Sequence, residues 1–404
     1  MKLEIHGAGF QNKGAQLMLR AVLGRLATAE PVVHACMSPT PAAPYRDRAQ
    51  YGLFQIFPIP LGRRQRSFRP RFLASRAIGS VLPGPWLEPF GLVTYSELQG
   101  LLDLSGYAFG DVFSWRQARA VALRAEYFSR RGLPVVFLPQ MVGPFDRTDT
   151  AREFRRICAA SSAFFVRDEA SLAAAIAAGA SEEKIQLAPD LTIFEEPDPL
   201  LVQRIEDEPF ALLVPNRNVL TKDGHGWGEH YLDRLVAAGK LLQARKVTVR
   251  VLIHGAEADD APLAEVLTER LDLDPSRILT DADPTRLKAW IARAELIVAS
   301  RFHAVVAALS TGTPSITLGW AHKYEYLHRD FQVGELVLSS EHPQARLEEL
   351  IDRCLDPRSA SGLRSRMVAA KDSMHPRLTR MWDRVFSAFG LRMPLASSRL
   401  DSGS

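Results

Sequence analysis

Arg167 and Arg301 hold equivalent places in two halves of the sequence. Arg167 ends a short apolar run, residues 163–167, and Arg301 follows one, residues 296–300; each stands just ahead of a helical pattern, residues 169–178 and 302–311. A guanidinium there adds its charge to the free N–H groups and positive dipole end of the helix, so both positions suit an anion. Two of them suit a small ligand with two anionic groups. The competing assignment is an ion pair with a nearby carboxylate such as Asp168 or Glu169. His303 follows Arg301 by two residues, in the first turn of its helix. It could act there as general acid or base beside a bound anion, or it could be structural.

Further polar residues cluster after other predicted strands. His322 and Lys323, in Trp320-Ala321-His322-Lys323-Tyr324-Glu325, could meet a phosphate or sugar hydroxyls, or solvent. Asn12, Lys13 and Gly14 end a Gly-x-Gly-x-x-x-x-Gly loop, which is neither the dinucleotide fingerprint nor a P-loop. Gln140 lies in Pro139-Gln140-Met141-Val142-Gly143-Pro144, where the Gly-Pro turn could present it to a ligand. Asp190 either serves a site, pairs with a basic residue or caps a turn. No metal constellation is legible. His225 and His230 lie in a glycine-rich stretch at a spacing unlike a helical zinc pair, and no Gly-x-Ser-x-Gly elbow occurs.

These residues need elements to hold them. Strands at 2–7, 100–105, 134–139 and 163–167 alternate with helices at 15–27, 117–131, 149–160 and 169–178, with Asp168 as N-cap and Gly179 beyond the C-cap. The acidic, proline-marked residues 195–209 read as a linker. A second series follows: strands at 210–215, 247–254, 277–279, 296–300 and 315–318, and helices near 229–244, 261–271, 284–293 and 302–311. The prediction is an α/β protein with two Rossmann-like domains, residues 1–195 and 210–342, facing a central cleft lined by strand ends. Helices at 343–390 and a frayed tail at 391–404 complete it.

The 404 residues suffice for two domains. With 47% hydrophobic and 24% charged residues the balance is that of a globular enzyme, not a disordered or collagenous chain. The net charge of +4 is too mild to argue for nucleic acid. Three scattered cysteines, no long apolar run and a charged N-terminus that reads as a strand predict a cytoplasmic protein. The charge is uneven, however. From Arg48 to Leu87 there is no acidic residue, but there are seven arginines: Arg48, Arg63, Arg64, Arg66, Arg69, Arg71 and Arg76. The segment Arg63–Arg76 is either a solvated basic loop or a surface for anionic headgroups or a phosphorylated acceptor, which would place the protein at the inner face of the membrane.

Taken in order, several pieces resemble the polysaccharide pyruvyl transferase family. They are Asn12-Lys13-Gly14-Ala15; Leu104-Ser105-Gly106-Tyr107 with Asp111; Leu138-Pro139-Gln140 and Gly143-Pro144-Phe145; Val166-Arg167-Asp168-Glu169; Pro189-Asp190-Leu191; Ser300-Arg301-Phe302-His303 through Gly312-Thr313-Pro314; and Lys323. The resemblance spans roughly residues 3–330. It implies a fold like that of the GT-B glycosyltransferases. It also implies transfer of pyruvate from phosphoenolpyruvate to two hydroxyls of a saccharide, free or lipid-linked. The lack of a ligand cluster at the strand ends, together with the two arginines, predicts that no metal or cofactor is needed. The donor contacts it implies map onto Arg167, Arg301 and His303; Asn12, Lys13, Gly14, Asp111, Gln140, Asp190, His322 and Lys323 are the further binding candidates. Two loops depart from the family pattern. Gly14-Ala15 stands where many members have Gly-Asp, and Gly106-Tyr107-Ala108-Phe109-Gly110 stands where many have a run of glycines.

Two other classes compete with a pyruvyl transferase. A nucleotide-sugar-dependent GT-B glycosyltransferase would need a base pocket and a ribose-binding carboxylate, and the sequence identifies neither. A non-catalytic anion-binding protein would have no use for the Arg-x-His element.

Overall fold

The computed structural model describes residues 1–57, 84–205, 208–221, 226–228, 230–255, 257–319 and 321–392. The segment Arg63–Arg76, His225, Trp320 and the tail from 393 lie outside the described residues. Contacts divide the chain into two units. The first holds Met1–Phe10, Leu19–Asp190 and the chain from Arg377; the second holds Gln11–Met18 and Leu191–Pro376.

The sheet of the first unit contains β1 (Lys2–His6), β2 (His34–Met37), β3 (Phe54–Phe57), β4 (Leu92–Thr94), β5 (Leu101–Asp103), β6 (Tyr107–Phe109), β7 (Val135–Val142), β8 (Ala163–Val166) and β9 (Ile185–Leu187). Its order is β4-β3-β2-β1-β5-β7-β8-β9, with β6 paired to β7, and every pairing is parallel. The chain builds outward from β1 through β4, then restarts on the other side of β1 with β5. That reversal is the place where open α/β sheets gather ligands at the strands' carboxyl ends.

The second unit repeats the scheme with β10 (Phe210–Val214), β11 (Thr248–Leu252), β12 (Ile278–Leu279), β13 (Leu296–Ala299), β14 (Ser315–Leu318) and β15 (Val337–Leu338). Its parallel order is β12-β11-β10-β13-β14-β15, so the reversal falls between β10 and β13. Continuous apolar runs explain the parallel sheets. Phe-Ala-Leu-Leu-Val of β10, Leu-Ile-Val-Ala of β13 and Ala-Phe-Phe-Val of β8 are buried at every residue, as a sheet covered on both faces demands. Leu347, Leu350, Ile351 and Met367, from helices Gln344–Leu355 and Pro357–Phe389, join the core of the second unit.

Several predicted boundaries move. β7 continues past Pro139 to Val142, because its register against β8 shifts between Phe137 and Gln140, where a missing N–H is tolerated. The acidic stretch 195–209 contains a helix, Pro199–Arg204, capped by Asp198, which accepts from the backbone N–H of Leu200 at 2.9 Å. Arg48 is not part of an exposed basic surface. It is 2% exposed, and its guanidinium donates to the Ala43 carbonyl at 3.0 Å and to Gln55 at 2.7 Å. Among the described residues no helix is long and apolar enough to cross a membrane.

Candidate functional site

In the second unit, hydrogen bonds fasten the two strand ends that flank the reversal. Asn216, beyond β10, donates from Nδ2 to the Ser300 carbonyl beyond β13 at 2.7 Å. The Tyr324 hydroxyl donates to the same carbonyl at 2.6 Å. Tyr231 bonds the Ser300 hydroxyl and accepts from the Asn216 backbone N–H at 2.8 Å. Arg301 follows directly on this framework.

The guanidinium of Arg301 pairs with Asp260, which is fully buried on helix Glu257–Arg270. Nε donates to Oδ2 at 2.7 Å and Nη2 donates to Oδ1, a two-point contact that sets the plane of the guanidinium. The backbone N–H of Arg217 also donates to Oδ1, at 3.1 Å. The ion pair weighed against anion binding thus does form, with a carboxylate from a different helix. It uses the Nε–Nη2 edge, and Nη1 makes no hydrogen bond to a described residue. Gly255 allows the arrangement: a Cβ there would overlap Asp260 Oδ2 and lie 2.5 Å from Cζ of Arg301.

Helix Phe302–Thr311 starts after Arg301 with no side-chain cap, so its first N–H groups and positive dipole end are presented beside that arginine. His303 sits in the first turn, its ring packed on the backbone of Gly14. A Cβ on Gly14 would overlap Nδ1 and Cγ and lie 2.6 Å from Cε1. The structure therefore brings Gly14 and His303 together, as well as Arg301. Asn12 plays a different part from the predicted contact. Its Oδ1 accepts from the N–H groups of Gly14 at 2.9 Å and Ala15 at 3.4 Å, capping a helix that starts at Lys13, two residues earlier than predicted. Lys13 donates to the Ala282 carbonyl at 2.9 Å. Lys323 lies 5.3 Å from the ring centroid of Phe302 and 5.4 Å from that of Tyr324, a cation–π seat next to the Arg301–His303 turn. His322 is 78% exposed and lies beside Glu325.

One residue of this unit escapes the sequence reading. His254, just past β11, is 3% exposed, and its pKa is pushed down to about 3 by burial, with His303, Arg301 and Lys13 adding repulsion. Its sequence signal is a histidine before a glycine at a strand end. Among the described residues no group of three or more His, Cys, Asp or Glu side chains could hold a metal ion.

The candidates of the first unit are more deeply engaged with the protein. Arg167, 6% exposed at the end of β8, donates from Nη1 to Asp190 Oδ2 at 3.0 Å. Asp190 is thus the partner of a basic residue, one of its predicted alternatives. Asp168 is the N-cap of helix Glu169–Ala177, accepting from the Ser171 N–H at 2.7 Å, so it is not the partner of Arg167. The expectation that a turn presents Gln140 fails. β7 carries it inward, where it is fully buried and donates to Asp103 Oδ1 at 2.6 Å. Asp111 holds a loop: it accepts from the N–H groups of Asp146 at 2.6 Å and Arg147 at 3.1 Å, and from the Thr150 hydroxyl. Cys36, Cys158 and Cys354 are buried thiols whose pKa burial pushes up to about 12, which makes them poor nucleophiles.

Two Rossmann-like units with polar residues gathered at their sheet reversals define a GT-B-like protein. Solved structures agree at the level of fold. A proposed UDP-N-acetylglucosamine 2-epimerase from Listeria monocytogenes superimposes with a TM-score of 0.61 at 12% identity, over 96% of each chain. HepE from Anabaena, solved with UDP and glucose, gives 0.57 at 14% identity over 96% of this chain and 99% of that one. A glycosyltransferase from Rickettsia africae gives 0.54 at 9% identity over 96% and 98%. The family is narrower than the fold: the model of the polysaccharide pyruvyl transferase family matches residues 12–322, and the chain belongs to that family of transferases. No curated protein matches the sequence.

Proposed function

We propose that the protein transfers pyruvate from phosphoenolpyruvate to two hydroxyls of a saccharide, forming a pyruvate ketal during assembly of a cell-surface polysaccharide. The observation that carries this reading is the Arg301–His303 turn at the reversal of the second sheet. There an oriented guanidinium, an uncapped helix N-terminus and an imidazole stand within three residues. That set fits a small, multiply anionic, acid-activated donor.

In this reading Arg301 binds an anionic group of the donor through its Nη1 edge, and Lys323 adds a second cation. His303 delivers a proton to the methylene carbon, which becomes a methyl group and leaves carbon 2 electrophilic. One hydroxyl adds to carbon 2, phosphate departs, and the second hydroxyl closes the ketal. No cofactor enters the scheme. The test is incubation with phosphoenolpyruvate and a panel of methyl hexopyranosides, scoring released phosphate and ketal product. Release of UDP from UDP-sugars without phosphate release from phosphoenolpyruvate would overturn the reading in favour of a glycosyltransferase.

A further inference from the structure

The chain that leaves β14 carries Lys323 and Tyr324 side by side, at the start of helix Lys323–Asp330. β14 lies next to β13, which runs out into Ser300 and Arg301. Tyr324 joins these neighbouring strand ends. It is fully buried, and its hydroxyl donates to the Ser300 carbonyl at 2.6 Å, one residue before Arg301. Asn216 Nδ2 donates to the same carbonyl at 2.7 Å, so two donors hold that backbone oxygen. The ring of the same tyrosine carries Lys323. The ammonium lies 5.4 Å from its centroid and 5.3 Å from that of Phe302. The two rings stand 5.8 Å apart at 63°, a corner in which one ammonium meets both π-systems. Phe302 also meets the His303 ring, at 5.5 Å and 87°. A lysine ammonium ordinarily moves on a flexible four-carbon stem, and ordering such a side chain on binding costs affinity. The aromatic corner orders Lys323 before any ligand arrives. All of these residues belong to the second unit.

We infer that Tyr324 is a positioning residue of the donor site: its ring seats Lys323, and its hydroxyl ties that seat to the Ser300–Arg301 turn. This rests on the function proposed above. The tie holds two cations, the guanidinium of Arg301 and the ammonium of Lys323, at one spacing. A donor with two anionic groups, a phosphate and a carboxylate, then meets both without first ordering a lysine. Tyr324 is sealed in the core, touches no donor atom and acts through its neighbours. Phe302 is the second wall of the seat and has no part in the tie.

The experiment is calorimetric titration of phosphoenolpyruvate into the full chain, as wild type, Tyr324→Phe, Lys323→Met and the double variant. Tyr324→Phe keeps the ring and removes only the tie. Asn216 still satisfies the Ser300 carbonyl, so the melting transition should stay close to that of the wild type. The Kd should rise about three- to tenfold, the usual cost of ordering one long side chain on binding. Lys323→Met should raise Kd at least about tenfold, and adding Tyr324→Phe to it should change nothing further. A hydroxyl that served only the fold, or only Arg301, would weaken binding by the same factor with and without Lys323. If Tyr324→Phe unfolds, Phe302→Leu carries the test. It removes the other ring and should raise Kd about threefold, but not in the Lys323→Met background. An unchanged Kd in the folded ring variant or in Lys323→Met, or equal factors in both backgrounds, overturns the role of Tyr324, while wild-type binding leaves the donor reading standing. Absence of phosphoenolpyruvate binding by the wild type overturns the donor reading, and the seat as a donor feature with it.

Discussion

The imidazole of His303 fills the space that a side chain on Gly14 would need. A Cβ built on Gly14 overlaps Nδ1 and Cγ of the ring, so the glycine of the first helix sets where the histidine of a distant helix can stand. Gly14→Ala therefore displaces His303. An alanine at an ordinary helical position would favour the helix by about 0.5–1 kcal/mol, so the fold should survive. Turnover should fall by about a hundredfold, the usual cost of a displacement near 1 Å in a reacting group. Steady-state kinetics on folded protein checks this, and an unchanged kcat would show that the ring position does not matter.

His303→Gln removes the proposed acid while keeping a polar side chain. Turnover should drop by about two to four powers of ten with little loss of donor affinity. A large rise in KM at near-normal kcat would make His303 a binding residue instead.

Asp260→Asn tests what orients Arg301. The variant keeps the shape of the side chain but leaves a buried guanidinium without its counter-charge, a change that typically costs about 3–5 kcal/mol when a buried pair is broken. Urea unfolding should show a loss approaching that range, and KM for phosphoenolpyruvate should rise at least about tenfold as Arg301 loses its two-point hold. A variant with wild-type stability and KM would mean that Arg301 is positioned by something other than Asp260.

Much of the second unit was legible because its elements announce themselves locally. The helices Pro284–Arg293 and Phe302–Thr311 and the strand Ser315–Leu318 coincide with the predicted bounds. Each is an apolar run closed by a strong signal, such as Asp283 at an N-cap or Gly312 at a C-cap. Strands β2, β3, β4, β6 and β9 escaped, being three or four residues long, too short for a period to be read. The strand-end rule singles out Arg167, Arg301 and His303 but does not say what they touch. Asp260 lies 41 residues from Arg301. Partnerships at that range are set by the order of strands in the sheet, which local pattern does not contain. For the same reason the sequence does not show that Asp111 holds a loop or that Gln140 bonds the Asp103 carboxylate.

His254 ties stability to acid pH. Its folded pKa of about 3 lies below the ordinary histidine value of 6.5. Above pH 6.5 both folded and unfolded states carry it neutral, and it contributes no slope. Between 6.5 and 3 the unfolded chain binds a proton that the folded chain refuses, so stability falls with falling pH by up to about 1.4 kcal/mol per pH unit. Carboxylates titrate in the same window, so the comparison is with His254→Gln. Urea midpoints from pH 7 to pH 4 should fall more steeply for the wild type, and parallel curves would show that His254 charges freely in the folded protein.

Whether Arg301 binds the donor is decided by calorimetric titration of phosphoenolpyruvate into the wild type and into Arg301→Ala, paired with phosphate release in the presence of acceptor glycosides. Loss of a charge-assisted contact of this kind costs about 2–5 kcal/mol. The prediction is saturable binding and acceptor-dependent phosphate release by the wild type, and neither by a folded Arg301→Ala. Binding of equal strength by both proteins, or phosphate release that does not require Arg301, would contradict it.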